Sequence, residues 1–475
     1  MGFFTRKDKS ESTTPQTHAL PKFEEKVERE TTRLGSLFMG DRVIWIVYFF
    51  LCVISLVEVY SAASTLSYKS GRFWEPLVKQ ALFLGAGTII VLLVHRIPCR
   101  MFKILPILSI PLSVLLLMIT LLSGAATNDA ARWINLGFIQ FQPSEIAKGS
   151  LIITVALILA RTQRENGADK RAFKIIMWVT LPIVGLIFTE NLSTAGLLFG
   201  VVLLMMFIGR VPLVQLGKLL GVMTLLGVLM GVLVYLSSDV PFLHRFETWK
   251  ERIETHFGGD GDARDAAPST YDIDKGAQVA HANIAIATSN GIGKMPGNSV
   301  QRDFLSQAFS DFIYAVIIEE MGLWGAAIVV FLYIILLFRA GRIASRCERN
   351  FPPFLVMGLT LLLVTQAMVN MAVAVGLFPV TGQPLPLISR GGTSTLINCF
   401  YIGMILSVSR YAKQVKTPQN PCPHTVRRPH ERHQARVRHA CAVVRPNRTQ
   451  ASNASTNGGD ASPRRERCNE CLYTK

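Results

Sequence analysis

Long apolar runs alternate with short polar stretches over most of the chain. Ten such runs stand out, at about 43–66, 77–94, 104–122, 144–160, 175–188, 194–208, 219–236, 312–338, 355–377 and 393–408. A bilayer core offers no water to backbone N–H and C=O groups, so runs this apolar predict membrane helices. The fourth, fifth and sixth fall short of the ~20 residues of a straight span, so they must borrow flanking residues, bend, or lie where protein covers them. The predicted fold is all-α: a polytopic membrane protein of about ten transmembrane helices, with one large extracytoplasmic loop between the seventh and eighth.

Charge orients the pattern. The connections 95–100, 161–174, 210–218 and 339–349 are rich in Lys and Arg, and alternation puts all four on one side together with both termini. The positive-inside rule makes that side cytoplasmic. The opposite connections are about 66–76, 123–143, 239–310 and 378–392. Residues 1–41 mix charged and hydroxylated residues without periodicity and read as a disordered cytoplasmic arm. They are followed by a transmembrane domain over 42–412. The segment 413–475 holds 13 Lys/Arg against 4 Asp/Glu and reads as a basic, disordered cytoplasmic tail. The polar start and the long first apolar run predict no cleavable signal peptide. The loop 239–310 is too long for a passive connection. It contains helix-like stretches at 244–256 and 277–289 around a Gly/Asp-rich piece at 258–262.

Composition agrees. Half of the 475 residues are hydrophobic, and mean hydropathy is +0.35. The net charge of +17 would suggest nucleic-acid binding in a soluble protein. Here the basic residues sit in short loops and at the ends, as topology requires, and no nucleic-acid partner is expected. The eight cysteines form no disulfide framework: Cys52 and Cys399 lie in apolar runs, Cys99 and Cys347 in basic loops, and the rest in the tail. Cys468 and Cys471 lack the second ligand pair that a zinc site needs.

Four places could carry chemistry. Asp311 stands at the outer mouth of the eighth run, where the large loop ends. It reads either as a helix N-cap or as an ionised general base. Glu319 and Glu320 lie two turns deeper and about 100° apart, so at most one faces a given cavity. They read either as a buried structural pair or as a polar wall leading from Asp311. Arg132 precedes Pro143-Ser144-Glu145, a helix start. Glu145 and Lys148, three residues apart, form either a self-contained ion pair or, with Arg132, a cationic site for a phosphate. Finally, 379–392 has too many prolines and glycines for a helix, so at membrane depth it must line a cavity or be buried in protein. Within it Ser389-Arg390-Gly391-Gly392 reads as a tight turn or an anion site before the last helix.

Three ordered strings carry a resemblance. The first is Arg132-Trp133-Ile134 followed by Gln142-Pro143-Ser144-Glu145 and Lys148. The second is Gly297-Asn298-Ser299-Val300-Gln301 followed by Asp311-Phe312-Ile313 and Glu319-Glu320-Met321-Gly322. The third is Gln366, Asn370, Gly376-Leu377-Phe378-Pro379-Val380-Thr381-Gly382 and Pro384-Leu385-Pro386. Over about 43–412 the chain resembles the SEDS family of lipid II polymerases, and Gly297-Asn298-Ser299 is similar to its cell-division branch. The resemblance implies a peptidoglycan glycosyltransferase of the inner membrane, at the division septum. Its implied partners are lipid II, a class B penicillin-binding protein that crosslinks the strands, and other divisome proteins. It maps the essential aspartate onto Asp311, the loop lysine and arginine onto Lys148 and Arg132, and the arginine opening the large loop onto Arg245.

Some residues depart from the family pattern. Leu305-Ser306-Gln307-Ala308-Phe309-Ser310-Asp311 lacks the usual proline, glutamate and histidine. Asn191-Leu192-Ser193-Thr194 stands for Pro-Asp-Leu-Gly-Thr, and Ser389-Arg390-Gly391-Gly392 for Ser-Tyr-Gly-Gly.

The expectation is an inverting glycosyl transfer with Asp311 as general base. Lys148, Arg132, Arg245 and Arg390 steady the leaving pyrophosphate, and Glu145, Glu319 and Ser389 line the site. A divalent cation, Mg or Mn, would suit that charge, although no ligand set demands one. A lipid flippase and a non-enzymatic divisome scaffold are the rival readings. The first requires inverted repeats with broken helices at the midplane; the sequence displays no clear internal repeat, and the candidate site lies at the rim instead.

Overall fold

In the computed structural model the described residues are 38–62, 74–127, 134–135, 140–165, 167–236, 277–305 and 310–416. Each of the ten expected runs is a helix there. The helices are α1 (Arg42–Ala62), α2 (Glu75–Val94), α3 (Leu105–Thr127), α4 (Pro143–Thr162), α5 (Lys170–Glu190), α6 (Leu192–Ile208), α7 (Leu213–Leu236), α9 (Ile313–Ala344), α10 (Phe351–Ala374) and α11 (Thr393–Lys416). An eleventh, α8 (Ala277–Thr288), lies in the large loop where the second helix-like stretch was expected. The first such stretch, 244–256, lies outside the described residues, as does the tail beyond Lys416. Strand structure among the described residues is confined to two short hairpins. One pairs Ile134–Asn135 with Gln140–Phe141, and the other pairs Gln163–Arg164 with Gly167–Ala168.

Among the described residues, seven helices (α1–α5, α9 and α10) are long and apolar enough to cross a membrane. The short runs gain length at their ends. Pro143 starts α4, Asp169 caps α5 by accepting from Arg171 N–H, and Asn191 caps α6 by accepting from Ser193 and Thr194 N–H. The 17 residues of α6 remain short of a full span.

Burial separates inner from outer helices. In α4 and α10, 72% of the apolar window is buried, against 22% in α3 and 28% in α2. The inner helices are also the less apolar, as expected where protein rather than lipid is the neighbour. The extreme case is α11. Its Thr395, Asn398, Ser407 and Ser409 are all buried, and it packs against α2, α10 and α4. Outer helices present large apolar side chains outward, such as Leu108 of α3 and Trp178 of α5. In water such faces would mark interaction sites; on this bundle they are the surface that lipid covers.

The basic connections meet at one end. Ser407 near the end of α11 donates to Ile97 C=O in the α2–α3 connection (2.6 Å), and Arg339 near the end of α9 pairs with Asp41 before α1. Ala168 N–H donates to Arg210 C=O, joining the connections that follow α4 and α6. The four described cysteines, Cys52, Cys99, Cys347 and Cys399, are free.

Candidate functional site

The connection between α10 and α11 re-enters the bundle. Gln383, Leu385, Leu387, Ile388 and Ser389 are all buried. Irregular backbone at that depth must have its polar groups met by protein, and three helices meet them. Ser55 of α1 donates to Ile388 C=O (2.8 Å) and Tyr333 of α9 to Pro386 C=O. From α10, Gln366 Nε2 donates to Pro384 C=O (3.0 Å) and Asn370 Nδ2 to Gln383 C=O (2.7 Å). Gln383 in turn donates to Thr194 Oγ1 of α6 (2.6 Å).

Asp311 hangs from this frame. Ser389 Oγ donates to Ser310 C=O (2.6 Å), Asn370 Nδ2 to Asp311 C=O (2.8 Å), and Ser310 Oγ to Asp311 Oδ1 (3.0 Å). Asp311 itself is half-buried, whereas Ser389 and Asn370 are buried. The cap reading of Asp311 is corrected: the N-cap of α9 is Phe312, and no side chain caps it. Ser389, read as part of a tight turn or an anion site, is bonded within the protein. Its hydroxyl donates to Ser310 C=O and accepts from Leu385 N–H (2.8 Å), so it ties the connection to the neighbour of Asp311. Arg390, next to it, is half-buried.

Lys148 is fully buried. Its ammonium donates to Glu145 Oε1 (2.8 Å) and to Gln366 Oε1 (2.9 Å). The helical spacing supplies the first partner, and the fold supplies the second from α10. In this arrangement the ion pair with Glu145 is present, and the charge is taken up by Glu145 and Gln366. Glu145 is likewise enclosed, and its C=O accepts from Tyr401 of α11 (2.7 Å). Gly149 makes that approach possible, since a Cβ there would lie 2.3 Å from the Tyr401 hydroxyl oxygen. Arg132 and Arg245 lie outside the described residues.

The glutamate pair has a different task from the cavity wall expected of Glu319. Both side chains point to the loop 294–302. Glu319 accepts from Lys294 Nζ (2.7 Å), Ser299 Oγ and the N–H groups of Val300 (3.2 Å) and Gln301 (3.3 Å). Glu320 accepts from the N–H groups of Gly297 (3.1 Å) and Ser299 (3.3 Å) and from Ser61 Oγ of α1, with Arg302 at 3.8 Å. Both reach one loop because α9 breaks just beyond them, at Gly322, whose φ is 69°. A kink frees carbonyls from the helical ladder. Here Lys294 and Met295 N–H donate to Glu319 and Glu320 C=O (2.9 Å each), and Leu323 N–H donates to Gly291 C=O (3.1 Å). The two backbones touch, and a Cβ on Gly293 would lie 2.4 Å from Glu320 C=O.

Sequence reasoning missed Lys294, Arg302 and Ser61 as partners of these carboxylates. Nothing in their local sequence distinguishes them, because the partnership spans the fold. Gln366 and Asn370 did carry a signal: they are polar residues four apart, on one face of an otherwise apolar run. Among the described residues no group of three or more His, Cys, Asp or Glu is placed to hold a metal ion.

Comparison with known proteins shows the family. The family model described as "Cell cycle protein", FTSW_RODA_SPOVE, matches residues 41–414. The chain is 30% identical over 365 residues to the probable peptidoglycan glycosyltransferase FtsW of Nitrosomonas europaea, covering 75% of this chain and 89% of the relative. It is also 30% identical over 387 residues to the protein of the same name from Halomonas elongata, covering 78% and 90%. Among solved structures it is similar to a chain from a study titled "Structural coordination of polymerization and crosslinking by a peptidoglycan synthase complex". There the TM-score is 0.60 and identity 25%, covering 79% of this chain and 99% of that one. The fold is also that of the rod-shape-determining protein RodA of Thermus thermophilus, with TM-score 0.53 and identity 24%, covering 78% and 97%. With its family model matched over 41–414 and its helices arranged like those of solved relatives, the chain belongs to the FtsW/RodA/SpoVE family of multi-pass membrane proteins.

Proposed function

We propose that this protein is a peptidoglycan glycosyltransferase that polymerises lipid II into glycan strands at the outer face of the cytoplasmic membrane during cell division. Relatives of matching length bear the name of that activity. One observation carries the reading: Asp311 is a half-buried acidic residue whose main chain is held by the buried side chains of Asn370 and, through Ser310, Ser389. A general base needs this combination of fixed position and access to its ligand.

In the reaction Asp311 takes the proton from the acceptor sugar hydroxyl. That oxygen forms the new bond to the anomeric carbon of the donor from the opposite side, and the bond from that carbon to the pyrophosphate breaks. The lipid pyrophosphate leaves, and the configuration inverts. Arg390, with Arg132 and Arg245, steadies the negative charge on the leaving group. Lys148 acts through Gln366: its bond orients the amide that holds Pro384, and so the re-entrant connection. A Mg or Mn ion would add positive charge at the pyrophosphate. The partners are a class B penicillin-binding protein and other divisome proteins, with both termini in the cytoplasm and the chain at the septum. The relative solved within a polymerising and crosslinking complex supports the first of these.

The test is polymerisation of purified lipid II by the full chain, read as glycan products on a gel, with and without the cognate transpeptidase. Asp311→Asn is expected to reduce product by at least ~100-fold without changing the melting temperature. Full activity in that variant would remove Asp311 from the role.

A further inference from the structure

At the basic end of the bundle, away from Asp311, the α2–α3 connection, the start of α10 and the end of α11 enclose a cavity of about 260 Å³. Five cations line it: Arg96, Arg100, Lys103, Arg349 and Arg410. No carboxylate is among its lining residues in the described part of the chain. Like charges gathered in one concavity repel unless an anion neutralises them.

The frame beneath the cations is fixed. Ser407 Oγ donates to Ile97 C=O (2.6 Å), Arg410 donates to Arg96 C=O (3.4 Å), and Lys103 lies over the Phe351 ring at 5.6 Å. Arg96, Arg100 and Arg349 are exposed. The cavity is below the ~300–1,000 Å³ of sites for drug-sized ligands, which suits a headgroup rather than a whole molecule.

An apolar surface adjoins it. Met101 and Ile104 lie just before α3, Ile107 and Leu108 in its first turn, and all four residues are exposed. A ligand seated here meets cations at one end and an apolar track at the other. An acyl phosphodiester has that shape of polarity, and a free phosphate does not.

We propose that this cavity binds the headgroup of one anionic phospholipid from the leaflet on the basic side, with its acyl chains along the start of α3. Basic pockets between membrane helices on that side are suited to phosphate headgroups, and each cation near them adds to the attraction. The site is distinct from the glycosyl-transfer site and does not depend on that reading.

The test is native mass spectrometry of the full chain released from zwitterionic detergent, titrated with phosphatidylglycerol, phosphatidylcholine or inorganic phosphate. One phosphatidylglycerol is expected to be retained, with no comparable phosphatidylcholine adduct. The double variant Arg100→Gln/Arg349→Gln should weaken retention about tenfold or more. Arg100→Lys/Arg349→Lys should keep it, and Lys218→Gln, on a different basic connection, should leave it unchanged. If the glutamine double variant fails to fold, the two single variants carry the comparison, each with a smaller loss. Equal retention of phosphatidylcholine, unchanged retention in the glutamine variants, or displacement of the lipid by inorganic phosphate as readily as by phosphatidylglycerol would overturn the proposal.

Discussion

Asn370 holds Asp311 by its main chain: the amide nitrogen of Asn370 donates to Asp311 C=O at 2.8 Å and to Gln383 C=O at 2.7 Å. One side chain on α10 therefore fixes both the aspartate and the re-entrant connection beside it. Position at the site is set by backbone anchoring, and the aspartate residue as a whole is half-buried.

Asn370→Leu removes both donors while keeping the same branched heavy-atom shape. Two carbonyls lose their partner, each at a cost of about 1–3 kcal/mol if nothing replaces it. Polymerisation is expected to fall more steeply than the melting temperature, because Asp311 loses its register before the bundle unfolds. Lipid II turnover measured beside a thermal melt checks this; a variant with wild-type turnover would separate Asn370 from the site.

Lys148→Met strands Glu145 as a buried, unpaired charge, which typically costs about 3–5 kcal/mol. The double variant Glu145→Gln/Lys148→Met removes both charges and is expected to regain most of that stability. If Lys148 acts only by positioning Gln366, polymerisation recovers in part with it. A double variant as stable as wild type yet wholly inactive would mean that the ammonium meets the substrate after all.

Gly322→Ala places a side chain where φ is 69° and where a Cβ would lie 2.5 Å from Gly291 C=O. Backbone strain alone costs on the order of 1–3 kcal/mol at such a position, and the clash adds to it. The expected result is a lower melting temperature and faster proteolysis within 291–302. Gly217→Ala is the control: its helical site in α7 has nothing within 4 Å of a new Cβ, and it should be neutral or slightly stabilising.

Asp169 caps α5 at the basic end. The Arg171 N–H it accepts from, and then the nearby Arg164 guanidinium, hold its carboxyl below the usual carboxylate range. A depressed folded-state value stabilises the fold above the unfolded pKa, and that stabilisation is lost as pH falls through the folded value. Asp169→Ala should therefore lower the melting temperature at neutral pH, and the difference should shrink as the buffer is taken into the acid range below pH ~4. A gap independent of pH would mean that the charge is not what stabilises the cap.

How legible was this protein in its sequence? The ten apolar runs became ten helices because hydrophobic length is a local property that a bilayer reads directly. That the basic connections share one end of the bundle was legible for the same reason, since each loop carries its own charge. The depth of the segment around Pro384 followed from its prolines and glycines, which leave only burial in protein or a cavity wall as outcomes. The roles of single charged residues were another matter. Whether Lys148 is open or enclosed depends on Gln366, 218 residues away, and whether Glu319 lines a cavity depends on Lys294 and on a kink at Gly322. A charge at membrane depth is settled by whichever polar group the packing brings to it. Sequence alone could name the groups that need partners, and the tertiary structure chose the partners.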